Sequence, residues 1–533
     1  MMKRPLLSVA CTTALLMPLP AFSVDQATLV KEIASLSKQL DELKKQMQAL
    51  QQEQSAKDDR FATVEQKAQE TEQKVQTVVK KEAAAEKKAS NLEISGDYRF
   101  RFDRMAGSAP SYYQVTGATT ASLMPAQDYR NNSLLTNRFG LNVKAKATED
   151  FTVKARLLMY KGWGEETYTA SPFFSDKFYS FDGNVGHIPK DDILRIDQAY
   201  ATWSAIGGAP VWFSVGRRPS TGGIPTNLRQ NIAKDVSDTA GVPGLLVDYA
   251  FDGATLGIAP DIEKLPGAYA KFCYGRGFDS GFTSTSNQLK DVHFVGVNMV
   301  PYATDNLRVE LQWDRGSNIF AFPETATMNT VIPGSTFTNN NLGNIDQYMI
   351  GASGKINNVG SGTLNLFLSA AISKSHPNSN LMGINGTGVA GLMYNCTPMG
   401  CAPQNKTGNA IYLGGRYDVE SIGTKFGLEY NHGSKNWIAF APASDDMWTA
   451  KQGVHGNVYE AYLIHEINSK PLSKFGKAQF RLGYQYYDFQ YTGSNNWVGA
   501  PVGMDALNNP LNAQMLTPLK NASDVYLTFD VAF

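Results

Sequence analysis

From Leu92 to Phe533 the chain returns repeatedly to a two-residue period in which apolar side chains alternate with polar or cationic ones. It begins with Ile94, Tyr98, Phe100 and Phe102 against Ser95, Asp97, Arg99, Arg101 and Asp103. It recurs in Phe139, Leu141 and Val143 against Arg138, Asn142 and Lys144, and in Phe151, Val153, Ala155 and Leu157 against Lys154 and Arg156. Near the end, Ala478, Phe480, Leu482, Tyr484 and Tyr486 oppose Gln479, Arg481 and Gln485. Successive side chains of a strand point to opposite faces, so each segment has one greasy face and one wet face. Long cationic side chains on the second face need water beside them, which a packed sandwich core does not offer. An apolar outside around a polar inside is the pattern of a transmembrane β-barrel.

Spacing carries the reading further, because such barrels alternate short periplasmic turns with long outer loops. Walking forward gives strands 92–104, 135–147, 151–162, 193–203, 211–218 and 244–251, with Asp252-Gly253 expected to turn the chain back. Walking backward from Phe533 gives 524–533, 477–491, 456–468, 424–433, 410–419, 363–375, 344–356, 306–315 and 291–301. The walks meet in register if 254–278 is one pass interrupted around Pro260 to Pro266. The predicted fold class is therefore all-β, a transmembrane antiparallel β-barrel of about 16 strands. A miscounted hairpin would make it 18 or 14. A barrel of 16 or 18 strands leaves an aqueous channel.

The front of the chain is different. Lys3 and Arg4, the apolar run Leu6 to Met17 and Ala21-Phe22-Ser23 read as a signal peptide over 1–23. Cys11 sits inside the apolar run, and Ser8 stands where a lipoprotein box has an aliphatic residue, so lipid attachment is disfavoured. From Leu29, the residues Ile33, Leu36, Leu40, Leu43, Met47 and Leu50 alternate steps of four and three, the seam of a coiled coil. The register extends through Phe61, Val64, Ala68, Val75 and Val78, predicting an α-helical coiled coil within 24–91, on the order of 90 Å long at 1.5 Å per residue. No Gly or Pro lies between Val24 and Asn91, which favours self-association over a hairpin; the other reading is a solvated spacer. The expected domains are 1–23, a periplasmic coiled coil 24–91 and an outer-membrane barrel 92–533.

Other classes fall away on composition and motifs. Forty-nine Lys and Arg balance 49 Asp and Glu, so no basic field recruits nucleic acid. No uninterrupted apolar run reaches the length of a spanning helix. His187, His293, His376, His432, His455 and His465 are scattered without metal-ligand spacing and read as surface residues. No nucleophile elbow, phosphate loop or cofactor motif stands out, so neither an enzyme nor a cofactor is expected. In an oxidising compartment, Cys396 and Cys401 in a Pro/Gly-rich loop could pair, leaving Cys273 as a buried or lipid-facing apolar residue.

The alternation Val525, Leu527, Phe529, Val531, Phe533 resembles the terminal strand recognised by the outer-membrane insertion machinery. The signal peptide, heptad helix, first strand Leu92 to Arg101 and the segment Val215-Gly216-Arg217-Arg218-Pro219-Ser220-Thr221 together resemble a family of porin-like outer-membrane proteins of unknown function from proteobacteria. The resemblance spans nearly the whole chain and implies location and fold rather than a solute. Some barrels of similar build sheathe multihaem cytochromes. This chain has no Cys-x-x-Cys-His, so haem would come from a partner.

The strand count makes 219–243 the third outer loop, which in trimeric general porins folds inward; the placement is by analogy. This loop carries Arg229, Lys234, Asp235 and Asp238 and follows directly on Arg217 and Arg218. With Arg99, Arg101, Arg138, Arg156 and Arg481 opposite, it is expected to form a basic constriction that favours anions; otherwise these arginines are a solvated lining. The leading expectation is a lipid-embedded, homotrimeric passive diffusion porin. The alternatives are a structural barrel sheathing a cytochrome and, further back, an outer-membrane enzyme or adhesin.

Overall fold

The computed structural model describes residues 24–52, 91–117, 119–164, 189–219, 225–232, 245–285, 287–320, 335–397, 399–441, 445–467 and 476–533. The chain divides into two units, Met1–Asn91 and Leu92–Phe533, which are taken separately. In the first, helix α1 spans Val24–Gln52. Its residues Ile33, Leu36, Leu40 and Leu43 are half-buried while the intervening positions are exposed, so one narrow apolar stripe runs along it. The predicted signal peptide and the heptads beyond Gln52 lie outside the described residues.

The second unit is a closed barrel of sixteen strands among the described residues. They are β1 Leu92–Ala109, β2 Gln127–Lys146, β3 Phe151–Gly162, β4 Asp191–Trp203, β5 Val211–Pro219, β6 Ala250–Ile258, β7 Tyr269–Phe278 and β8 Val292–Ala303. Then follow β9 Leu307–Phe320, β10 Asn341–Val359, β11 Gly362–Pro377, β12 Thr407–Val419, β13 Thr424–Gly433, β14 Gly456–Glu466, β15 Lys477–Phe489 and β16 Asn521–Ala532. Each strand pairs antiparallel with its neighbour in sequence, and β16 closes the ring on β1 with Tyr98 opposite Val531 and Phe102 opposite Leu527. The seam runs to the last residue: Gly96 N–H donates to the Phe533 carbonyl at 2.7 Å, and Phe533 N–H to Gly96 at 2.9 Å. A Cβ at Gly96 would lie 2.5 Å from the tip of the Phe533 ring, so the ring packs directly on the Gly96 backbone.

The alternation sorts as expected. Ile94, Leu366, Leu368, Leu428, Leu482 and Val525 are exposed on the outer wall, while Arg99, Arg101, Asp103, Glu460, Arg481 and Asp524 are buried inside. Short turns occupy one rim, with β1 starting and β16 ending there. The long loops at the other rim are L1 110–126, L2 163–190, L3 220–249, L4 279–291, L5 321–340, L6 378–406, L7 434–455 and L8 490–520.

The number of strands is that of the sequence reading, but one turn is not where it was expected. Asp252 and Gly253 lie within β6, paired to Arg217 and Gly216 of β5. The chain reverses at 259–268, so 244–251 is not the sixth strand and 254–278 is two strands rather than one interrupted pass. Gly253 serves close backbone approach: a Cβ would sit 1.9 Å from the Tyr274 carbonyl oxygen across the β6–β7 pair. The turn instead uses Pro260, Pro266 and Gly267, the last at φ 66.

Candidate functional site

The middle of the barrel holds parts of the chain's own outer loops, where the strand count by itself implied an aqueous channel. Two long loops fold into the lumen. L3 carries a short helix, α2 (Thr226–Arg229), and this helix and the turn after it meet the far side of the barrel: Arg416 of β12 donates to the Leu228 carbonyl, and Lys425 of β13 donates to Asn231 Oδ1 at 2.7 Å. Asn231 Nδ2 in turn donates to Glu466 of β14 at 2.8 Å. L3 thus crosses from β5 and β6 to strands on the opposite wall.

L7 goes deeper, and its composition explains why. Trp437, Ile438, Phe440, Met447 and Trp448 are all buried, and a loop this apolar gains by leaving solvent. Trp437 Nε1 donates to Gln452 O at 2.7 Å, Gln347 of β10 donates to Ile438 O at 2.6 Å, and Trp448 Nε1 donates to Ser523 O of β16 at 2.9 Å. Phe440 packs edge-on against Phe294 of β8 at 4.9 Å and exchanges backbone hydrogen bonds with the Leu246–Asp248 stretch of L3.

The polar tip of L7 then meets the barrel charges in two places. Asp445 pairs with Arg99, lies 3.5 Å from Arg138 and 3.6 Å from Arg481, and offers its backbone carbonyl to Arg101 at 2.8 Å. Arg99 also pairs with Asp530, and Arg101 with Asp103 at 2.6 Å and Asp524 at 3.1 Å. Tyr526 lies beneath two of these guanidiniums, with centroid distances of 4.8 Å to Arg101 and 5.2 Å to Arg481. Burial alone would raise the Asp445 carboxyl, but Arg99, Arg138, Arg101 and Arg481 outweigh it and hold the group well below the usual carboxylate range.

Six residues on, Lys451 is 1% exposed and sits between Glu429 and Glu460. Arg229 of L3 joins the same acidic group, donating to Asp446 at 2.6 Å and Glu460 at 3.2 Å. Arg481 links the two places by donating to the Arg229 carbonyl at 2.9 Å. Along the neighbouring strands β13 to β16, β1 and β2 an arginine group therefore adjoins an acidic one, and L7 presents a carboxylate to the first and an ammonium to the second.

Of the predicted residues, Arg99, Arg101, Arg138, Arg481 and Arg229 come together here. Arg156 stands apart, bound to Asp97 at 2.7 Å and lying 3.6 Å from Asp197. Arg217 lies 3.5 Å from Asp252, and Arg218 reaches Thr255 and stacks over Tyr200, neither joining the cluster. Lys234, Asp235 and Asp238 lie outside the described residues. The wall expected to be simply basic is instead charge-compensated, because Asp103, Asp524 and Asp530 share the inner face with the arginines. Sequence reasoning missed L7 altogether. The available signal was the run Trp437-Ile438-Ala439-Phe440-Ala441, too apolar for a solvated outer loop.

The histidines are not all surface residues either. His455, at the end of L7, is buried, with Nδ1 2.8 Å from the Thr492 carbonyl and Nε2 2.6 Å from that of Trp437. Cys396 and Cys401 are joined in L6, and Cys273 turns inward to the Thr255 hydroxyl rather than outward. Above L7, a cavity of 590 Å³ between L1, L6 and L8 is lined by groups such as Thr120, Asn395, Phe489, Tyr491, Gln514 and Met515, with no charged side chain among its lining residues. Among the described residues no group of three or more His, Cys, Asp or Glu is placed to hold a metal ion.

Comparison with known proteins gives one family. Residues 128–533 match the family described as "Protein of unknown function (DUF3373)", a match that starts within β2 and takes in the Val215 to Thr221 segment. No curated protein is similar in sequence. Among solved structures, Salmonella typhi OmpF in complex with daunomycin is 11% identical with a TM-score of 0.39, over 82% of this chain and 97% of that one. Pseudomonas putida OprB is 12% identical with a TM-score of 0.39, over 83% and 94%. The trimer form of OmpT, an outer membrane protein of Vibrio cholerae, is 10% identical with a TM-score of 0.37, over 83% and 99%.

Proposed function

Because this chain belongs to the DUF3373 family, whose function is unknown, its activity has to be read from the barrel, and we propose an outer-membrane porin that passes small hydrophilic solutes, anions included. The observation that carries this reading is the inner face: Arg99, Arg101, Arg138 and Arg481 converge from β1, β2 and β15, beside Glu429 and Glu460 of the neighbouring strands β13 and β14. Guanidinium clusters on a lumen wall favour anions. A barrel with an exposed apolar wall and no free sheet edge suits a bilayer, where every backbone group must be satisfied internally.

L3 supports the reading as an inward-folded constriction loop, and L7 narrows the same passage further. A sheath around a cytochrome needs an empty lumen, and the space it would fill holds the chain's own loops. The terminal strand fits recognition by the insertion machinery, and α1 fits association of protomers, with a trimer as the expected state. Reversal potentials of the purified protein in a planar bilayer under a KCl gradient test the assignment. Stepwise channels with anion preference are expected; clear cation preference would overturn the basic constriction.

A further inference from the structure

The Asp445 carboxylate does not behave like a structural partner built for its place. Carboxylate and guanidinium fit each other best through two parallel hydrogen bonds, yet Arg138 and Arg481 stop at 3.5 Å and 3.6 Å. Arg138 Nε, Arg481 Nε and Asp445 Oδ1 are all buried without a hydrogen-bond partner. Arg481 is itself 1% exposed. Asp445 thus pairs directly with Arg99 and gives its backbone carbonyl to Arg101, but its carboxylate satisfies Arg138 and Arg481 incompletely. The loop bringing it in is held elsewhere by Trp437, Phe440 and Trp448, so Asp445 is the end of a tether rather than part of the wall. Its φ of 70 is a left-handed conformation that glycine adopts without strain.

We propose that Arg99, Arg101, Arg138 and Arg481 form an oxyanion-binding site on the solute path, for a carboxylate or phosphate group, and that Asp445 is an internal ligand competing for it. A tethered competitor acts at an effective concentration of order mM, so a passing anion binds only as tightly as it displaces Asp445 from the arginines. Tyr526, beneath Arg101 and Arg481, forms the floor of the site, and Asp530 and Asp103 hold Arg99 and Arg101 in position from the side away from Asp445. Identifying the ligand as a passing solute rests on the porin reading; the site itself does not.

The test is calorimetric titration of the detergent-solubilised full-length protein with inorganic phosphate. Asp445→Gly removes the competitor and is expected to tighten phosphate binding about ten-fold or more, the size expected when an occupied site becomes fully competent. Adding Arg481→Gln to that variant is expected to reverse the gain. If charge removal prevents folding, the charge-balanced pair Arg138→Gln with Asp445→Gly keeps three guanidiniums and is expected to shift affinity in the same direction. Equal phosphate affinity with and without Asp445, no binding in either, or a gain that survives Arg481→Gln overturns the site. Because binding is read without current, a protein that binds phosphate but never conducts refutes the porin reading alone. One that conducts while Asp445→Gly gains no affinity refutes the site alone.

Discussion

Gly96 and Phe533 show how much a single pair of residues can decide. The Phe533 ring lies over Gly96 where the first and last strands meet, so Gly96→Val has no room except by moving the ring or opening the seam. Overpacking of this kind costs about 1–3 kcal/mol, read as a lower temperature at which the folded band converts on heating in detergent. Lys451 makes the opposite case, a buried cation between two carboxylates. Removing one partner of a buried charge group costs about 3–5 kcal/mol, so Lys451→Met is expected to lose more stability than Gly96→Val in the same assay. His455 gives a pH dependence. Burial pushes its imidazole below the ordinary value of 6.5, outweighing the upward pull of the Thr492 and Trp437 carbonyls. Between the folded value and 6.5 the unfolded state binds more protons, so stability rises with pH across that window and is lost on acidification through it. The protection of L7 amides against hydrogen exchange, taken relative to the intrinsic rate at each pH, is expected to fall as the pH drops below 6.5, and His455→Gln is expected to flatten that response.

At the scale of elements, the strands were legible in the sequence and the loops were not. Alternation is a local property, so β1, β2, β3, β15 and β16 could be placed from Phe100, Phe139, Val153, Leu482 and Leu527 alone. Asp252-Gly253 misled because a glycine needed for close approach to the Tyr274 carbonyl looks, in sequence, the same as a glycine needed for a turn. Counting strands made L3 the third outer loop, and its inward course was expected by analogy with trimeric general porins. That of L7 was not, since which loop fills a lumen depends on contacts with Phe294, Gln347 and Ser523, distant in sequence. Arg99, Arg101, Arg138 and Arg481 lie on the polar face of their strands, but the pairings of Asp445 with these arginines, and of Asp446 and Glu460 with Arg229, are ones no spacing rule predicts. Replacing 436–453 with a short Gly/Ser turn is expected to raise single-channel conductance several-fold while leaving the sixteen strands paired, checked by current steps and unchanged strand content in circular dichroism. For α1, deletion of residues 25–90 is expected to lower the temperature at which oligomers dissociate. Oligomers that dissociate at the same temperature would leave the helix as a spacer.

For the whole molecule, the barrel wall and its contents have separate tasks. The wall is a closed sheet with an exposed apolar exterior, which asks only for a bilayer around it. The contents, L3 and L7, carry charges complementary to the inner face, so the path through the molecule is governed by how firmly those charges stay in place. On the proposed porin reading, conductance is expected to be low when L7 is seated and to show the selectivity of the arginine cluster when L7 is removed. The most direct measurement is therefore planar-bilayer recording of the purified full-length protein beside the variant lacking 436–453. Stepwise channels are expected in both, larger and more anion-preferring in the variant. Silence from both proteins, or a cation preference in the variant, would contradict that expectation.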